Sequence, residues 1–371
     1  MAYRLKSRFA ALFFAVFQIY AAQICAAQTD YLSSFSNPAH LWGNGIEKTI
    51  EEAYRQCFKT RIIGGRVMNI RLPFAENHNE RDILISSTLD FFGGGKSNPA
   101  ALWPVIEDIL DSKAFDEYIN ALGSGREKVF IFDIPDQKWS MSSDLFDIAR
   151  MKAGSYRGLP HRPYVLTNGK GALESDVYNY LYCIGRLGMD CSGFVWHVLS
   201  YIGKQGGVDL GRTLSMAMGV PRGGDPSWYA GTVFYNSRSS QIIAVNDDIR
   251  NLRPADIILF REPGGGMAHS AIIQSIDYSS GAIRYVQCTD EAPLSERGVH
   301  ESYIYFDPTK PSVSLKDPSL QWTQKRFAPF PGEKDSPFSD DGERYRAFKE
   351  YGGGRVVRIR ALVPVIEKLN R

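Results

Sequence analysis

One segment of the chain predicts the fold most directly: Gly188-Met189-Asp190-Cys191-Ser192-Gly193-Phe194-Val195. From Cys191 onward the apolar residues follow the three-four spacing of a helix with one buried face; they are Phe194, Val195, Val198, Leu199 and Ile202. We expect this helix to begin at Cys191 and to stop at Gly203. Cys191 then lies in the first helical turn, where unpaired N–H groups and the helix dipole stabilise a thiolate.

A histidine further along the chain, His269, is the candidate general base for this cysteine. It follows the glycine-rich turn 263–266 and precedes the apolar run 270–276, which is typical of a strand. The run 283–289 is expected to return as the second strand of a hairpin. A polar residue on that strand can orient the imidazole ring, and we choose Gln287 for this third role.

Four segments of the chain match the motifs of a known family in the family's own order. Asp190-Cys191-Ser192-Gly193 resembles the nucleophile motif of the family, and residues 210–215 resemble its leucine-proline-arginine-threonine-x-serine stretch. Residues 252–260 resemble the family's proline-glycine-aspartate strand, and residues 269–273 resemble the strand that starts with its catalytic histidine. Together these segments resemble the NlpC-type cell-wall peptidases, papain-like cysteine peptidases that usually cut the stem peptides of bacterial peptidoglycan.

The resemblance implies an α+β fold in which the nucleophile stands at the N-terminus of a helix packed on an antiparallel sheet. It implies that His269 takes the proton of Cys191, that the thiolate attacks an amide carbon, and that Gln287 holds the imidazole in its working tautomer. The backbone N–H of Cys191 would stabilise the oxyanion. Further residues implied for substrate binding or oxyanion stabilisation are Tyr182, Asp190 and Ser192.

Several alternatives stay open at this point. Asp290 and His300 compete with Gln287 for the third catalytic role, because the hairpin is longer than is usual in the family. Transfer of the acyl group to an amine instead of water, or action as an amidase or acyltransferase on another substrate, is a second reading of the chemistry. A third reading is a wall-binding or scaffolding module that keeps the fold without turnover. By strand alternation, Cys288 is expected to pack on the face opposite Gln287, and His197 is interpreted as a structural or surface residue.

The beginning of the chain predicts export. Three cations within residues 4–8 precede an apolar run over 9–24, and the small residues Ala26 and Ala27 follow. This layout is typical of a secretory signal peptide, 1–27, cleaved near Ala27. The apolar run is short for a membrane span, which argues against a retained membrane anchor. The anchor is kept as the alternative, and no integral membrane association is expected after cleavage. We therefore expect a location in the periplasm or cell envelope.

Charge and cysteine usage narrow the function class. The formal net charge is +2, and removal of the signal takes away three cations and no acid. The mature chain therefore has a charge of about −1, which is too close to neutral for a protein that binds nucleic acid.

The mature cysteines are Cys57, Cys183, Cys191 and Cys288. If Cys191 is free, at most one disulfide forms. No CxxC or HExxH motif is present, so neither a metal nor another cofactor is expected. The expected partner is peptidoglycan or its muropeptide fragments, and the oligomeric state stays open.

The length of 371 residues allows two domains. We expect a mixed α/β accessory domain of unknown type over 28–155 and the papain-like domain over 156–371. Insertions are predicted near 219–246 and 307–344, and the second is rich in proline, which predicts an irregular loop. A last strand over 355–362 is expected to close the sheet.

The predicted accessory domain mixes the two kinds of periodicity. Helix patterns cover residues 46–58 and 104–122, and strand-like runs cover residues 83–89 and 129–134.

Overall fold

The structure is a computed structural model that combines helices with antiparallel sheets, an α+β fold. It describes residues 45–74, 98–122, 129–133, 138–142, 164–166, 177–178, 180–181, 188–289, 298–326, 336–339 and 341–371. The predicted signal peptide and the strand-like run 83–89 lie outside these residues, and both stay predictions.

The described part of the chain up to residue 166 contains three helices and two small sheets. Its elements are α1 (Ile46–Arg55), β1 (Phe58–Ile63), β2 (Arg66–Arg71), α2 (Pro99–Leu110), α3 (Lys113–Leu122), β3 (Val129–Asp133) and β4 (Lys138–Ser142). Strands β1 and β2 form an antiparallel hairpin, and β3 pairs with both β4 and β5 (Tyr164–Leu166). The predicted strand near 129–134 is thus confirmed as β3.

The single helix expected over 104–122 is divided into α2 and α3. The side chain of Ser112 accepts the backbone N–H of Phe115 at 3.2 Å, which is an N-cap interaction. Because a serine at this position satisfies a free N–H group of a new helix, it favours a break in the longer apolar pattern.

The second half of the chain builds one eight-stranded antiparallel sheet with helices on both faces. Its helices and strands are α4 (Cys191–Gln205), α5 (Leu210–Met218), α6 (Thr232–Tyr235), β6 (Ile242–Val245), β7 (Ile257–Arg261), β8 (Met267–Asp277), β9 (Ala282–Thr289), β10 (Gly298–Tyr305), β11 (Gln321–Arg326), β12 (Ser336–Ser339), α7 (Asp341–Lys349), β13 (Arg355–Ile359) and α8 (Val363–Leu369). The strand order is β12-β11-β10-β9-β8-β7-β13-β6. The hairpin predicted after His269 is confirmed as β8 and β9.

The two faces of this sheet bury two separate cores. The α4-side core joins the apolar face of α4 to sheet residues that include Ile257, Leu259, Ile272, Val286 and Cys288. The α7-side core joins Phe348 of α7 to sheet residues that include Ile258, Phe260, Ala271, Ile273 and Tyr285. Since successive side chains of a strand point to opposite faces, the position of a residue in its strand determines which core it meets.

Helix α4 confirms the predicted apolar stripe but ends later than expected. The five stripe residues, Phe194, Val195, Val198, Leu199 and Ile202, are fully buried. Gly203 lies inside the helix, which continues to Gln205 with Gly206 as its C-cap. A Cβ at Gly203 would lie 2.8 Å from the Val208 carbonyl oxygen. The glycine therefore permits a close backbone approach and does not stop the helix.

The prediction of an irregular loop over 307–344 is wrong in part, because this segment contains β11 and β12. Strand β11 pairs with β10, and β12 extends the sheet as its edge strand. Pro337 lies in β12 opposite Lys325, and an edge strand tolerates a residue that lacks an N–H group. The predicted closing strand also differs: it ends at Ile359 and lies between β7 and β6, inside the sheet.

The part of the chain before residue 156 shares the α4-side core with the part after it. Ile50 and Tyr54 of α1 and Leu102 of α2 belong to the same buried cluster as Phe194. The domain boundary predicted near residue 156 stays a prediction. Within the residues that the structure describes, no helix is both long and apolar enough to span a membrane.

Candidate functional site

Cys191 is the first residue of α4, as the sequence pattern predicts. Asp190 is the N-cap, and its side chain accepts the backbone N–H of Gly193. The hydroxyl of Ser192 donates to Asp190 Oδ1 at 3.1 Å. Asp190 and Ser192 therefore hold the start of the helix, and this capping fixes the position of the cysteine between them.

The thiol of Cys191 is buried and protonated in this structure. Only 8% of the residue is exposed, and its Sγ lies 3.9 Å from the Ala268 carbonyl oxygen. Burial, followed by the negative charge of Asp190, raises the pKa of Cys191 to about 12, although Ser270 and Arg344 act in the opposite direction. Burial thus outweighs the helix-start effect that predicted a thiolate.

Two backbone donors stand next to this thiol. Among the residues that the structure describes, the N–H groups of Cys191 and Ser192 make no hydrogen bond, as is usual for the first turn of a helix. Such N–H groups can stabilise an oxyanion that forms beside the sulfur.

Tyr235 of α6 is a neighbour that the sequence did not indicate. Its pKa is raised well above the ordinary value by burial and by Asp190 and Cys191, so its phenol shares their surroundings. The hydroxyl is buried and has no hydrogen-bond partner in the described part of the chain. Tyr235 lies in the segment 219–246, which was predicted to be an insertion and carries no motif, so no pattern singled it out.

His269 and Gln287 meet as the sequence predicts. His269 Nε2 lies 2.7 Å from Gln287 Oε1, and Gln287 Nε2 donates to the Ser302 hydroxyl at 2.9 Å. Since the amide donates to Ser302, its oxygen accepts, and the proton of the neutral His269 ring lies on Nε2. Burial, followed by the charge of Arg344, holds the pKa of His269 well below its ordinary value. The ring is therefore neutral.

The structure does not bring Cys191 to His269. The ring of His269 lies 5.4 Å from that of Phe260, a member of the α7-side core. Its strand neighbour Ser270 points instead to the α4 face, where it lowers the pKa of Cys191. No hydrogen bond joins Cys191 to His269, both of which the structure describes. The thiol and the imidazole thus occupy opposite faces of the sheet.

The alternatives for the third role have mixed outcomes. His300 lies in the same buried group as Gln287: its Nδ1 is 3.2 Å from the Gly298 carbonyl oxygen, and its Nε2 is 3.4 Å from Gln287 Nε2. Burial lowers the pKa of His300 to about 3. Asp290 and Tyr182 lie outside the described residues.

Cys288 and His197 are both buried in packing roles, so the surface alternative for His197 is wrong. Cys288 points to the face opposite Gln287, as expected, and its Sγ donates to the Met189 carbonyl oxygen at 2.9 Å. His197 Nε2 lies 3.0 Å from the Ala53 carbonyl oxygen and ties α4 to α1. The cysteines that the structure describes, Cys57, Cys191 and Cys288, form no disulfide with one another.

The described residues include no cluster of histidine, cysteine, aspartate or glutamate arranged to hold a metal ion. Comparison with known proteins finds no matching family model, no matching curated protein and no matching solved structure.

Proposed function

We propose that the chain is an exported cysteine hydrolase that cuts amide bonds in peptidoglycan stem peptides or in muropeptide fragments. The observation that carries the proposal is the position of Cys191 as the first residue of α4, a helix of 15 residues packed on an antiparallel sheet. The motif segments around it resemble those of the NlpC-type peptidases. The same papain-like placement gives a cysteine both helix-start donors and a sheet to carry its base.

The chemistry would begin with loss of the Cys191 proton. The thiolate would attack the amide carbon, and the N–H groups of Cys191 and Ser192 would stabilise the oxyanion that forms. The amine then leaves with a proton, and water releases the acyl group from the sulfur. The phenol of Tyr235, which shares the surroundings of the thiol, can donate a hydrogen bond to the same oxyanion.

The position of His269 sets a requirement for this proposal. Strand β8 carries a bulge: Phe260 pairs with His269 and Arg261 pairs with Met267, which leaves Ala268 unpaired. A shift of one residue reverses the faces of a strand. Movement of the bulge past His269 would turn the imidazole towards α4. The hydrolase proposal requires either this rearrangement or a general base from outside the described residues.

The test is digestion of purified peptidoglycan and of free stem peptides by the mature chain, with the fragments identified by mass spectrometry. Wild-type protein should release fragments that Cys191→Ala does not release. Cys57→Ala is the matched control, because it removes another buried free thiol outside the site. Folded wild-type protein that leaves both substrates intact would overturn the proposal. Addition of an amine acceptor to the same digest separates hydrolysis from acyl transfer.

His269→Ala, run beside these variants, identifies the base. Lost turnover with an intact fold indicates that His269 reaches the thiol during the reaction. Retained turnover assigns the proton transfer to another group.

A non-catalytic module that binds the cell wall is the second candidate function. The observation that favours it is the placement of a protonated Cys191 and a neutral His269 on opposite faces of the sheet. Co-sedimentation with insoluble peptidoglycan tests it: the module should bind with equal affinity before and after Cys191→Ala and release no fragments. Failure to sediment with the wall would exclude this role.

A further inference from the structure

A cavity opens on the α7 face of the sheet. Its volume is about 270 Å³, and it lies between the turn that joins β7 to β8 and the residues of α7. The polar side chains that line it belong to Arg261, Glu262, His269, Arg344, Arg346 and Tyr351. A cavity of this size suits a compact ligand.

The lining of this cavity is mainly cationic. Three guanidinium groups contribute, from Arg261, Arg344 and Arg346, whereas Glu262 is the one carboxylate among the described lining residues. The side chain of Glu262 folds over its own turn, and its Oε1 occupies the space that a Cβ at Gly266 would need. The cavity thus carries an excess of positive charge.

Two of these arginines are held in fixed positions by contacts with the protein. Arg261 Nε donates to the Gly353 carbonyl oxygen at 2.6 Å. Arg344 is 1% exposed, donates to the Thr289 hydroxyl, and stacks 5.3 Å from the centre of the Phe260 ring. Fixed guanidinium groups lose little side-chain freedom when a ligand binds, which favours recognition of a planar or tetrahedral anion.

The backbone next to the cavity is in an unusual conformation. Tyr351 lines the cavity with a φ of 55°, and it is followed by Gly352 and Gly353 at φ 90° and 81°. A left-handed conformation is unfavourable for a tyrosine, and such strain concentrates at functional positions. The turn between α7 and β13 therefore places Tyr351 at the cavity at a cost in stability.

We propose that this cavity is a binding site for a compact anion, a small molecule that presents a carboxylate or a phosphate to Arg261, Arg344 and Arg346. Cys191 does not line this cavity, although the cavity shares His269 with the hydrolase proposal. Release of wall fragments and calorimetric binding of an anion are separate measurements, so either proposal can fail while the other stands.

His269 gives the site a spectroscopic signature. His269 lines the cavity, and burial, followed by the charge of Arg344, lowers its pKa. An anion bound beside Arg344 offsets that charge, so binding should raise the pKa of His269. An anion bound elsewhere on the protein would leave the NMR resonances of the His269 imidazole unchanged.

Calorimetric titration of the mature chain with inorganic phosphate, and separately with glutarate, tests the proposal. At least one probe should bind with a stoichiometry of one, and the tighter of the two identifies the preferred anion chemistry. The variant Arg346→Gln should weaken binding about tenfold, the usual effect of one lost charge-assisted contact. Arg346 is exposed, so the change should not unfold the protein.

The matched control is Lys349→Gln, which removes the same charge from an exposed position of α7 outside the cavity. It should leave the affinity within about twofold, since screened surface charges act weakly at a distance. Equal losses in both variants would overturn the site, because they would indicate diffuse attraction to a basic surface. Absence of binding by both probes, or binding without movement of the His269 resonances, would overturn it as well.

Discussion

His269 Nε2 and Gln287 Oε1 lie 2.7 Å apart on the sheet face that α7 covers, whereas Cys191 lies beneath the opposite face. Gln287 connects the imidazole to the Ser302 hydroxyl, and all three side chains are buried. A buried polar network is stable only while its members satisfy one another. In this state Gln287 therefore supports the sheet and orients a histidine that does not contact the thiol.

Replacement of Gln287 by leucine should lower the free energy of unfolding by about 1–3 kcal/mol, because it leaves the buried polar groups of His269 and Ser302 without this partner. Urea denaturation followed by circular dichroism measures the change. Gln321→Leu is the control, since Gln321 is exposed at the start of β11, and it should shift stability by less than about 0.5 kcal/mol. Equal effects of the two changes would contradict a role for the network.

Cys191 should react slowly with iodoacetamide near pH 7 and faster by roughly tenfold for each unit of pH, since a thiol with a pKa of about 12 is almost fully protonated there. Peptide mass spectrometry gives the rate at this cysteine. An exposed thiol made by Ser240→Cys provides the comparison and should react much faster at pH 7. Comparable rates would instead indicate an activated thiolate and a rearranged site.

The sequence predicted the elements of the site better than their arrangement. The apolar stripe after Cys191 and the hairpin pattern around His269 gave α4, β8, β9 and the contact between His269 and Gln287. The face of His269 was not predictable, because β8 is apolar at consecutive positions, Ala271, Ile272 and Ile273, as in strands buried on both sides. The bulge at Ala268 adds a further shift that no residue pattern marks.

Strands β11 and β12 were missed for a different reason. In the sequence, a segment with several prolines lies between β10 and β11. Strands β11 and β12 pair through contacts that are distant in sequence from the hairpin of β8 and β9. A strand whose partner is supplied by tertiary structure carries little local signal of its own. Arg344, which lines the cavity on the α7 face, lies in this same stretch and was therefore not identified as a site residue.

Glu51 should be a strong determinant of stability, because it binds Arg284 in the interior. Arg284 Nη1 lies 2.9 Å from Glu51 Oε2, and its Nε donates to Glu301, with all three residues buried. Removal of one partner from a buried ion group costs about 3–5 kcal/mol, so Glu51→Gln should lower the urea midpoint strongly. Glu117→Gln is the matched control: its pair with Lys113 is exposed, and its loss should cost less than about 0.5 kcal/mol. Similar midpoints for the two variants would show that the interior pair adds no net stability.

His197 should make the stability of the protein fall in mild acid. Burial lowers its pKa from 6.5 to about 4, whereas the unfolded chain keeps the ordinary value. Between these two values the unfolded state binds more protons than the folded state, so the free energy of unfolding rises with pH from about 4 to about 6.5. The contribution of this one histidine over that window is about 3 kcal/mol.

The measurement is a series of urea denaturation curves between pH 4.5 and pH 7.5 for wild-type protein and His197→Gln. Glutamine can still donate to the Ala53 carbonyl oxygen, which accepts from His197 in the structure, but it does not titrate. The variant should lose part of the pH dependence and gain stability relative to wild type as the pH falls below 6. Because His269 and His300 are also buried with lowered pKa values, a residual slope of the same sign should remain in the variant. Identical slopes in the two proteins would mean that His197 keeps its ordinary pKa and that the contact between α1 and α4 opens to water.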